Sequence, residues 1–243
     1  MKTIGFVCEG PRDSDMLEAV VRHILNEEIY PLYLQPESSL TGENGCGWKG
    51  VWTWCVKNGE TYDQFIEGAT PRPDMIIIQM DGDVARKERE VHCSCYASNC
   101  ADSGDIFPLK CSKQDCPIVI PCKNHEPGVN GHAFHLQKLI LKYFHGEHIP
   151  VCIIPCDSTD AWIVAAYDDM ENIESIDDPW NSIISKAKEY HGIRIPGHKK
   201  AKNVYQKLIP EVCRNWDVVK MRCSQAAAFE HCVLSLKGSL PFL

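Results

Sequence analysis

Acidic side chains stand at the ends of two strand-like segments of the sequence. Glu9 follows the apolar segment 3–8, and Asp81 and Asp83 end the Ile-rich segment 74–81. Because ligands of an open parallel sheet bind at the carboxyl ends of its strands, we expect these acids to converge on one crevice. Alternation along an extended segment points Asp81 and Asp83 to the same side. Clustered carboxylate oxygens are the ligands that Mg²⁺ or Mn²⁺ prefers, so the pattern predicts a metal site.

Each of these motifs also has a simpler interpretation when it is taken alone. Asp81-Gly82-Asp83 would then form only a turn, and Glu9 would only cap a helix. Two acidic motifs on strands of the same sheet favour the metal site instead, because parallel strands present their carboxyl ends at one edge.

The elements that must position the acids alternate between strand and helix. Pro11 suits the first turn of a helix, and Asp13 favours its positive N-terminal end. The fold class that this order predicts is α/β, with a mostly parallel sheet flanked by helices. The predicted strands lie at 3–8, 51–56, 74–81 and 150–155, and the predicted helices run on from residue 11, at 62–67, 133–144 and 159–167, and over most of 179–236 with a break near 192–197.

The residues around Glu9 and Asp81 resemble those of the TOPRIM family. Val7-Cys8-Glu9-Gly10-Pro11-Arg12-Asp13 is similar to the family's glutamate motif, in which hydrophobic residues precede Glu-Gly-x-x-Asp, and Asp81-Gly82-Asp83 is similar to its Asp-x-Asp motif. The resemblance is closest to small stand-alone and OLD-type TOPRIM nucleases of prokaryotic defence systems. There are two departures: Arg86 replaces a frequent Gly, and a Cys-rich insertion follows where most members enter a helix.

The resemblance implies a Mg²⁺-dependent nuclease that hydrolyses phosphodiester bonds of DNA or RNA. By that resemblance, Glu9 would be the general acid/base or a metal ligand, and Asp81 and Asp83 would hold the ion. Asp13 would be a second ligand or a support for the site. The family context further implies a role in anti-phage defence, with an ATPase as a partner protein.

A further acidic segment follows the predicted strand at 150–155. The stretch from Pro155 to Trp162 is similar to a segment of small TOPRIM-like proteins in which an acid precedes a Trp on a helix. Asp160 or Asp157 would then complete the metal shell. The alternative is that Asp157 or Ser158 caps the following helix.

A basic run at 198–207 and three tryptophans are further candidates for nucleic-acid contacts. Lys200, within the run, could hold a phosphate or stabilise charge that develops during phosphoryl transfer, although a solvated helix face is the simpler interpretation. The tryptophans could stack bases, but burial in the core is the favoured interpretation. They are Trp48, Trp52 and Trp54.

Cysteines cluster between Cys93 and Cys122, within a chain that has 14 of them. Thiolates bunched in an intracellular loop suit a structural Zn²⁺ with four ligands, and a segment this poor in apolar residues would need a metal to fold. Free thiols or disulfides are the alternative. The simplest ligand set is two Cys-x4-Cys pairs, Cys95 with Cys100 and Cys111 with Cys116, with Cys93, Cys122 and His92 as substitutes.

Composition limits the classes of function that remain. The chain has 243 residues and a net charge of −8, so it is not a passive basic coat for nucleic acid. No apolar run approaches the roughly 20 residues of a membrane span, and the first residues lack the features of a signal peptide, so we expect a soluble cytoplasmic protein. The expected domains are an α/β core at 1–84 and 132–170, a Cys-rich insertion at 85–131 and a helical extension at 171–243.

Two alternatives to a nuclease stay open at this point. The fold could be a non-catalytic binding or regulatory module that docks a partner protein through its zinc loop. It could also be a glycosyl-transfer or other phosphotransfer enzyme that uses Asp-x-Asp, although a glycosyltransferase would not need Glu9. A topoisomerase is disfavoured, because the sequence shows no matching tyrosine signature and leaves no room for a gate domain.

We expect the purified protein to carry about one zinc ion per chain, held by the cysteine cluster. Elemental analysis of a metal-replete preparation, made without chelator, measures the content. Replacing Cys95 and Cys100 by Ser should remove the zinc, whereas Cys213→Ser, outside the cluster, should not. Zinc at background level in the parent protein would favour free thiols or disulfides.

Overall fold

An all-parallel sheet of four strands lies at the centre of the fold. The computed structural model describes residues 1–36, 45–84, 108–110, 119–121, 128–185 and 189–237. The strands of the central sheet are ordered β2-β1-β3-β6, so the first and third strands of the chain lie side by side in the middle. The strands are β1 (Lys2–Val7), β2 (Ile29–Gln35), β3 (Met75–Gln79), β4 (Pro108–Lys110), β5 (Val119–Pro121), β6 (Val151–Ile153), β7 (Glu189–Tyr190) and β8 (Ile193–Arg194).

Helices cover both faces of the central sheet. Successive residues of a strand face opposite sides, and β3 shows this: Ile77 packs on the side of α1, whereas Ile76 and Ile78 pack on the side of α2. Burial on both faces explains why the central strands are continuously apolar. The helices are α1 (Pro11–Leu25), α2 (Gly47–Gly59), α3 (Tyr62–Gly68), α4 (Gly128–Leu141), α5 (Asp160–Tyr167), α6 (Pro179–Ile184), α7 (Lys202–Arg214), α8 (Trp216–Arg222) and α9 (Ser224–Ser235).

The layers are built from distant parts of the chain. Helices α1, α5 and α6 to α9 share one apolar core with one face of the sheet. Helices α2, α3 and α4 form the core on the other face. The helical C-terminal region therefore packs directly on α1 and α5. Its predicted break near 192–197 contains β8, which pairs with β7 just before the break. None of the described helices combines the length and the apolar character needed to cross a bilayer.

The α/β fold with a parallel sheet flanked by helices is confirmed, but one predicted strand is wrong. Residues 51–56 lie within α2, where Val51 and Cys55 are buried one helical turn apart and Val56 is exposed. The fourth strand of the sheet is instead β2, an edge strand, where Pro31 is tolerated because no strand among the described residues pairs with its other side. The alternation of buried and exposed residues along β2 is weak, and two of its aromatic residues, Tyr30 and Tyr33, are exposed.

Of the predicted Cys-rich insertion, the structure describes the antiparallel pair β4 and β5 and the start of α4. The predicted zinc ligands Cys95, Cys100, Cys111 and Cys116 lie outside the described residues. The zinc site therefore stays a prediction.

Backbone hydrogen bonds fix the carboxyl end of β3 against the segment that follows β6. The amide of Gly82 donates to the carbonyl of Pro155 at 2.9 Å, and the amide of Asp83 donates to the carbonyl of Asp157 at 3.0 Å. A Cβ on Gly82 would lie only 2.3 Å from the Pro155 oxygen and 2.5 Å from the Cys156 oxygen. Glycine is therefore needed at this position for the two strand ends to approach each other.

We expect Gly82→Ala to lower the free energy of unfolding by about 1–3 kcal/mol, because the new methyl group must push two backbone oxygens away. Gly68→Ala, at the end of α3, is the matched control, since a Cβ there meets nothing within 4 Å. That variant should be neutral, or stabilised by up to about 1 kcal/mol. Urea denaturation measures both, and equal stabilities would contradict the close approach.

Candidate active site

Acidic side chains from three strand ends meet at the carboxyl edge of the sheet. Glu9 and Asp13 follow β1, Asp81 and Asp83 follow β3, and Asp160 is the first residue of α5, after β6. Each of the other four carboxylates is close enough to act electrostatically on Asp81. The structure thus brings together five of the acids that the sequence offers for the Mg²⁺ site, with Asp160 as the acid from the segment after β6. We call these five residues the acidic cluster.

Glu9 and Asp81 are joined directly across β1 and β3. The amide of Asp81 donates a hydrogen bond of 2.8 Å to Oε1 of Glu9. The carbonyl oxygen of Glu9 accepts from the amide of Gly47 at 3.1 Å, so the first turn of α2 lies against Glu9. Glu9 does not cap α1, whose N-cap residue is Gly10. Its carboxylate is therefore used for the contact with β3.

Asp13 is linked to α5 as well as to the start of its own helix, where the backbone of Gly10 donates a hydrogen bond to its carboxylate. The hydroxyl of Thr159 donates a 2.6 Å hydrogen bond to Oδ1 of Asp13. Thr159 is the N-cap residue of α5, but its side chain makes no capping hydrogen bond. The threonine therefore connects the ends of β1 and β6 instead of stabilising the helix start.

Asp160 is almost fully buried and is held by two residues of the C-terminal region. The hydroxyl of Tyr205, on α7, donates to Oδ1 of Asp160, and the ammonium of Lys200 lies 2.5 Å from Oδ2. Burial lowers the pKa of Lys200, but the charges of Asp160, Asp81 and Asp13 outweigh burial and raise that pKa above its ordinary value. Lys200 therefore stays protonated, with a side chain that is 46% exposed to solvent.

The pKa values of three acids in the cluster are raised. Burial, with the charges of Asp83 and Asp13, raises the pKa of Glu9 to about 8. Burial, with the charge of Asp160, raises the pKa of Asp13 to about 6. Burial and the charges of Asp13 and Glu9 raise the pKa of Asp81 well above its ordinary value. Strong shifts of this kind, from burial combined with specific charges, are typical of functional sites.

The oxygen donors have the chemistry that Mg²⁺ prefers, but they are not already arranged around one point. Across the ranges that the structure describes, no group of three or more His, Cys, Asp or Glu side chains is positioned to hold a metal ion. Glu9, Asp13, Asp81 and Asp160 instead accept hydrogen bonds from neighbouring protein groups. Mg²⁺ usually keeps several waters and takes only one or two protein carboxylates, so a cage of three is not a requirement.

Several residues of the site carried little signal in the sequence. Thr159 and Tyr205 reach their acids across 146 and 45 positions of the chain, which no local pattern reveals. Gln79 did carry a signal, because it is the one polar residue in a strand that is otherwise apolar. Trp52 and Trp54 are buried in the core, as the favoured interpretation predicted.

Comparisons with protein-family models, with curated proteins and with solved structures find no match to this chain. The acidic cluster itself indicates a function, through the positions of its carboxylates, their hydrogen-bond partners and their raised pKa values.

The raised pKa of Glu9 leads to a prediction about stability and pH. The folded protein holds the Glu9 proton up to about pH 8, whereas the unfolded chain loses it near the ordinary value of 4.5. The protonated Glu9 therefore contributes its full stabilisation of the fold below pH 4.5, and this contribution is lost as the pH rises towards 8. Between pH 4.5 and 8, the unfolding free energy of the parent protein should therefore fall. Because Gln cannot ionise, we expect Glu9→Gln to lose roughly 2–4 kcal/mol less than the parent over the same pH range.

Urea denaturation at several pH values between 4.5 and 8, in chelator, measures this dependence. Glu27→Gln is the control, because Glu27 is an exposed glutamate just beyond α1. It should follow the parent profile. If the Glu9→Gln profile also runs parallel to that of the parent protein, the buried, proton-holding Glu9 is contradicted.

Proposed function

We propose that the protein is a Mg²⁺-dependent nuclease of the TOPRIM type that hydrolyses phosphodiester bonds of DNA or RNA. The observation that carries the proposal is the contact between the two acidic motifs. Glu9 accepts a hydrogen bond from the amide of Asp81 across β1 and β3, and Asp13, Asp83 and Asp160 surround that pair. Carboxylates gathered at the carboxyl ends of parallel strands suit metal-assisted attack on a phosphate.

The residues that would hold Mg²⁺ are Asp81 and Asp83, with Glu9 and Asp160 as further oxygen donors. A divalent cation would offset the mutual repulsion that helps to raise the pKa values of Glu9 and Asp81. When bound, Mg²⁺ supplies charge neutralisation at the phosphate and lowers the pKa of water.

Glu9 is the proposed general acid/base. Burial and the charges of Asp83 and Asp13 raise its pKa to about 8 in the metal-free protein, and a cation bound beside it would lower that pKa towards neutral pH, where a side chain can both hold and release a proton. Its position directly after β1 and its hydrogen bond to Asp81 fix the carboxyl group at the edge of the sheet. Glu9 would therefore transfer a proton close to a phosphate bound at the acidic cluster.

Lys200 and neighbouring lysines supply the positive charge that a nucleic acid needs beside this acidic site. The ammonium of Lys200 is partly exposed and protonated, and it can contact a phosphate oxygen while it pairs with Asp160. Lys199 and Lys202 are exposed on either side of it. A role in anti-phage defence in the cytoplasm, with an ATPase partner, is proposed from the TOPRIM resemblance.

A non-catalytic binding module is the second candidate. The observation that favours it is that the carboxylates already have protein partners, with no three of the described donors placed around a metal position. Such a cluster could bind a cation and a partner protein without turnover, with the predicted zinc loop as the docking element.

We expect Asp81→Ala or Asp83→Ala to abolish cleavage, because each removes a carboxylate from the proposed metal site. In Asp83→Ala the metal-free protein should keep or gain stability, since the change relieves repulsion between like charges, whereas Asp81→Ala also leaves Nε2 of the buried Gln79 without its acceptor. The assay uses plasmid, single-stranded DNA and total RNA with Mg²⁺ or Mn²⁺, and with chelator. Asp217→Ala, an exposed surface change on α8, should cleave like the parent protein. Parent-like cleavage by either site variant would contradict the metal site.

Glu9→Gln separates the nuclease from the binding module in the same assay. For a nuclease, this nearly isosteric change should keep nucleic-acid binding and lose roughly 10²-fold or more in rate, because Gln cannot move a proton. A module predicts no turnover by the parent protein, and for Glu9→Gln only a changed affinity for a partner.

A further inference from the structure

Gln79 is a polar residue that is buried at the end of β3, a strand whose other residues are apolar. It ends β3, whose sequence is MIIIQ, and it is fully buried. Residues two apart on a strand share a face, so Gln79 lies on the same side as Ile77, which packs in the core beneath α1. A buried carboxamide is costly unless its hydrogen bonds are made. The partners of Gln79 therefore indicate why it is there.

Both ends of the Gln79 carboxamide are bonded to the acidic motifs. Its Nε2 donates to Oδ1 of Asp81 at 2.7 Å, and its Oε1 accepts from the amide of Glu9 at 3.2 Å. The amide of Asp81 in turn donates to Oε1 of Glu9. The three residues thus form a closed ring of hydrogen bonds in which each is bonded to the other two.

We propose that Gln79 is a positioning residue that fixes the Asp81 carboxylate and the Glu9 backbone relative to each other for binding of a divalent cation. The assignment rests on the proposed function. One oxygen of each acid is used in the ring, so the ring fixes the orientation of both carboxylates and leaves the second oxygen of Asp81 for a ligand. The carboxylate of Glu9 also accepts a hydrogen bond from the backbone of Trp48. Hydrogen-bond partners of metal ligands typically contribute 10–100-fold to metal affinity or activity.

The chemistry of the residue explains why a glutamine is suited to this task. Its carboxamide donates and accepts at once, and it carries no charge. A glutamate would add another carboxylate to the acidic cluster, and when ionised it would have no hydrogen to donate to Asp81. A methionine of similar size would leave Oδ1 of Asp81 and the amide of Glu9 without these partners.

The test compares Gln79→Met with Gln137→Met in the full-length protein. Gln137, on α4, donates a 2.8 Å hydrogen bond to the carbonyl of Cys152, on the opposite face of the sheet from Gln79. Steady-state cleavage gives kcat and KM, calorimetric titration gives the Kd of Mn²⁺, and thermal unfolding gives Tm. We expect Gln79→Met to lose about 10–100-fold in kcat at nearly constant KM, and to bind Mn²⁺ about tenfold more weakly. Gln137→Met should change only Tm.

The remaining outcomes separate this inference from the proposed function. If the parent protein binds Mn²⁺ but cuts no nucleic acid, the nuclease is wrong and the Mn²⁺ titration still decides the role of Gln79. Unchanged Mn²⁺ affinity and kcat in Gln79→Met, or equal losses in Gln137→Met, would overturn the inference. A parent protein that binds no Mn²⁺ overturns both. Should Gln79→Met fail to fold, Gln79→Leu, which is smaller and also makes neither hydrogen bond, replaces it and should show the same losses.

Discussion

Like-charged carboxylates are buried together at one edge of the sheet, and the surrounding structure has to compensate for their repulsion. It does so with hydrogen-bond donors. The amide of Asp81 donates to Glu9, and the carboxamide of Gln79 donates to the Asp81 carboxylate. The hydroxyl of Thr159 donates to Asp13. The N-termini of α1 and α2 also lie at this edge, where their dipoles favour negative charge. The proton held by Glu9 reduces the charge that is left.

The topology of the sheet determines which donors can reach which acids. β1 and β3 are parallel neighbours, so their acidic ends lie side by side, and β6 places Thr159 and Asp160 next to them. Tyr205 and Lys200 come from the C-terminal region, which shares a core with α1 and α5. The helical C-terminal region is therefore part of the site as well as a cover for the sheet.

The sequence predicted the strands that are buried on both faces. It missed β2 and α2, whose structure depends on contacts with distant parts of the chain. β1, β3 and β6 are buried on both faces, which leaves a continuous apolar run that is easily recognised. β2 contains Pro31 and exposed tyrosines because it is an edge strand, and α2 is rich in Val and Trp, which favour strands when they are read locally. Glu9, Asp81 and Asp83 were predictable because they follow the ends of strands, whereas Thr159 and Tyr205, which bind Asp13 and Asp160, lie far along the chain.

The balance of charge at the site explains how one arrangement can be stable both with and without a cation. Without a cation, protons and the ammonium of Lys200 compensate the carboxylates, and hydrogen bonds hold the side chains in place. A divalent cation would compete with those protons for the same oxygens, so binding of the ion and loss of protons would be coupled. Lys200 is only partly buried, so its ammonium can contact a phosphate oxygen while it stays paired with the buried Asp160. The hydrogen-bonded ring of Glu9, Gln79 and Asp81 does not depend on Lys200, because its donors are two backbone amides and a neutral carboxamide.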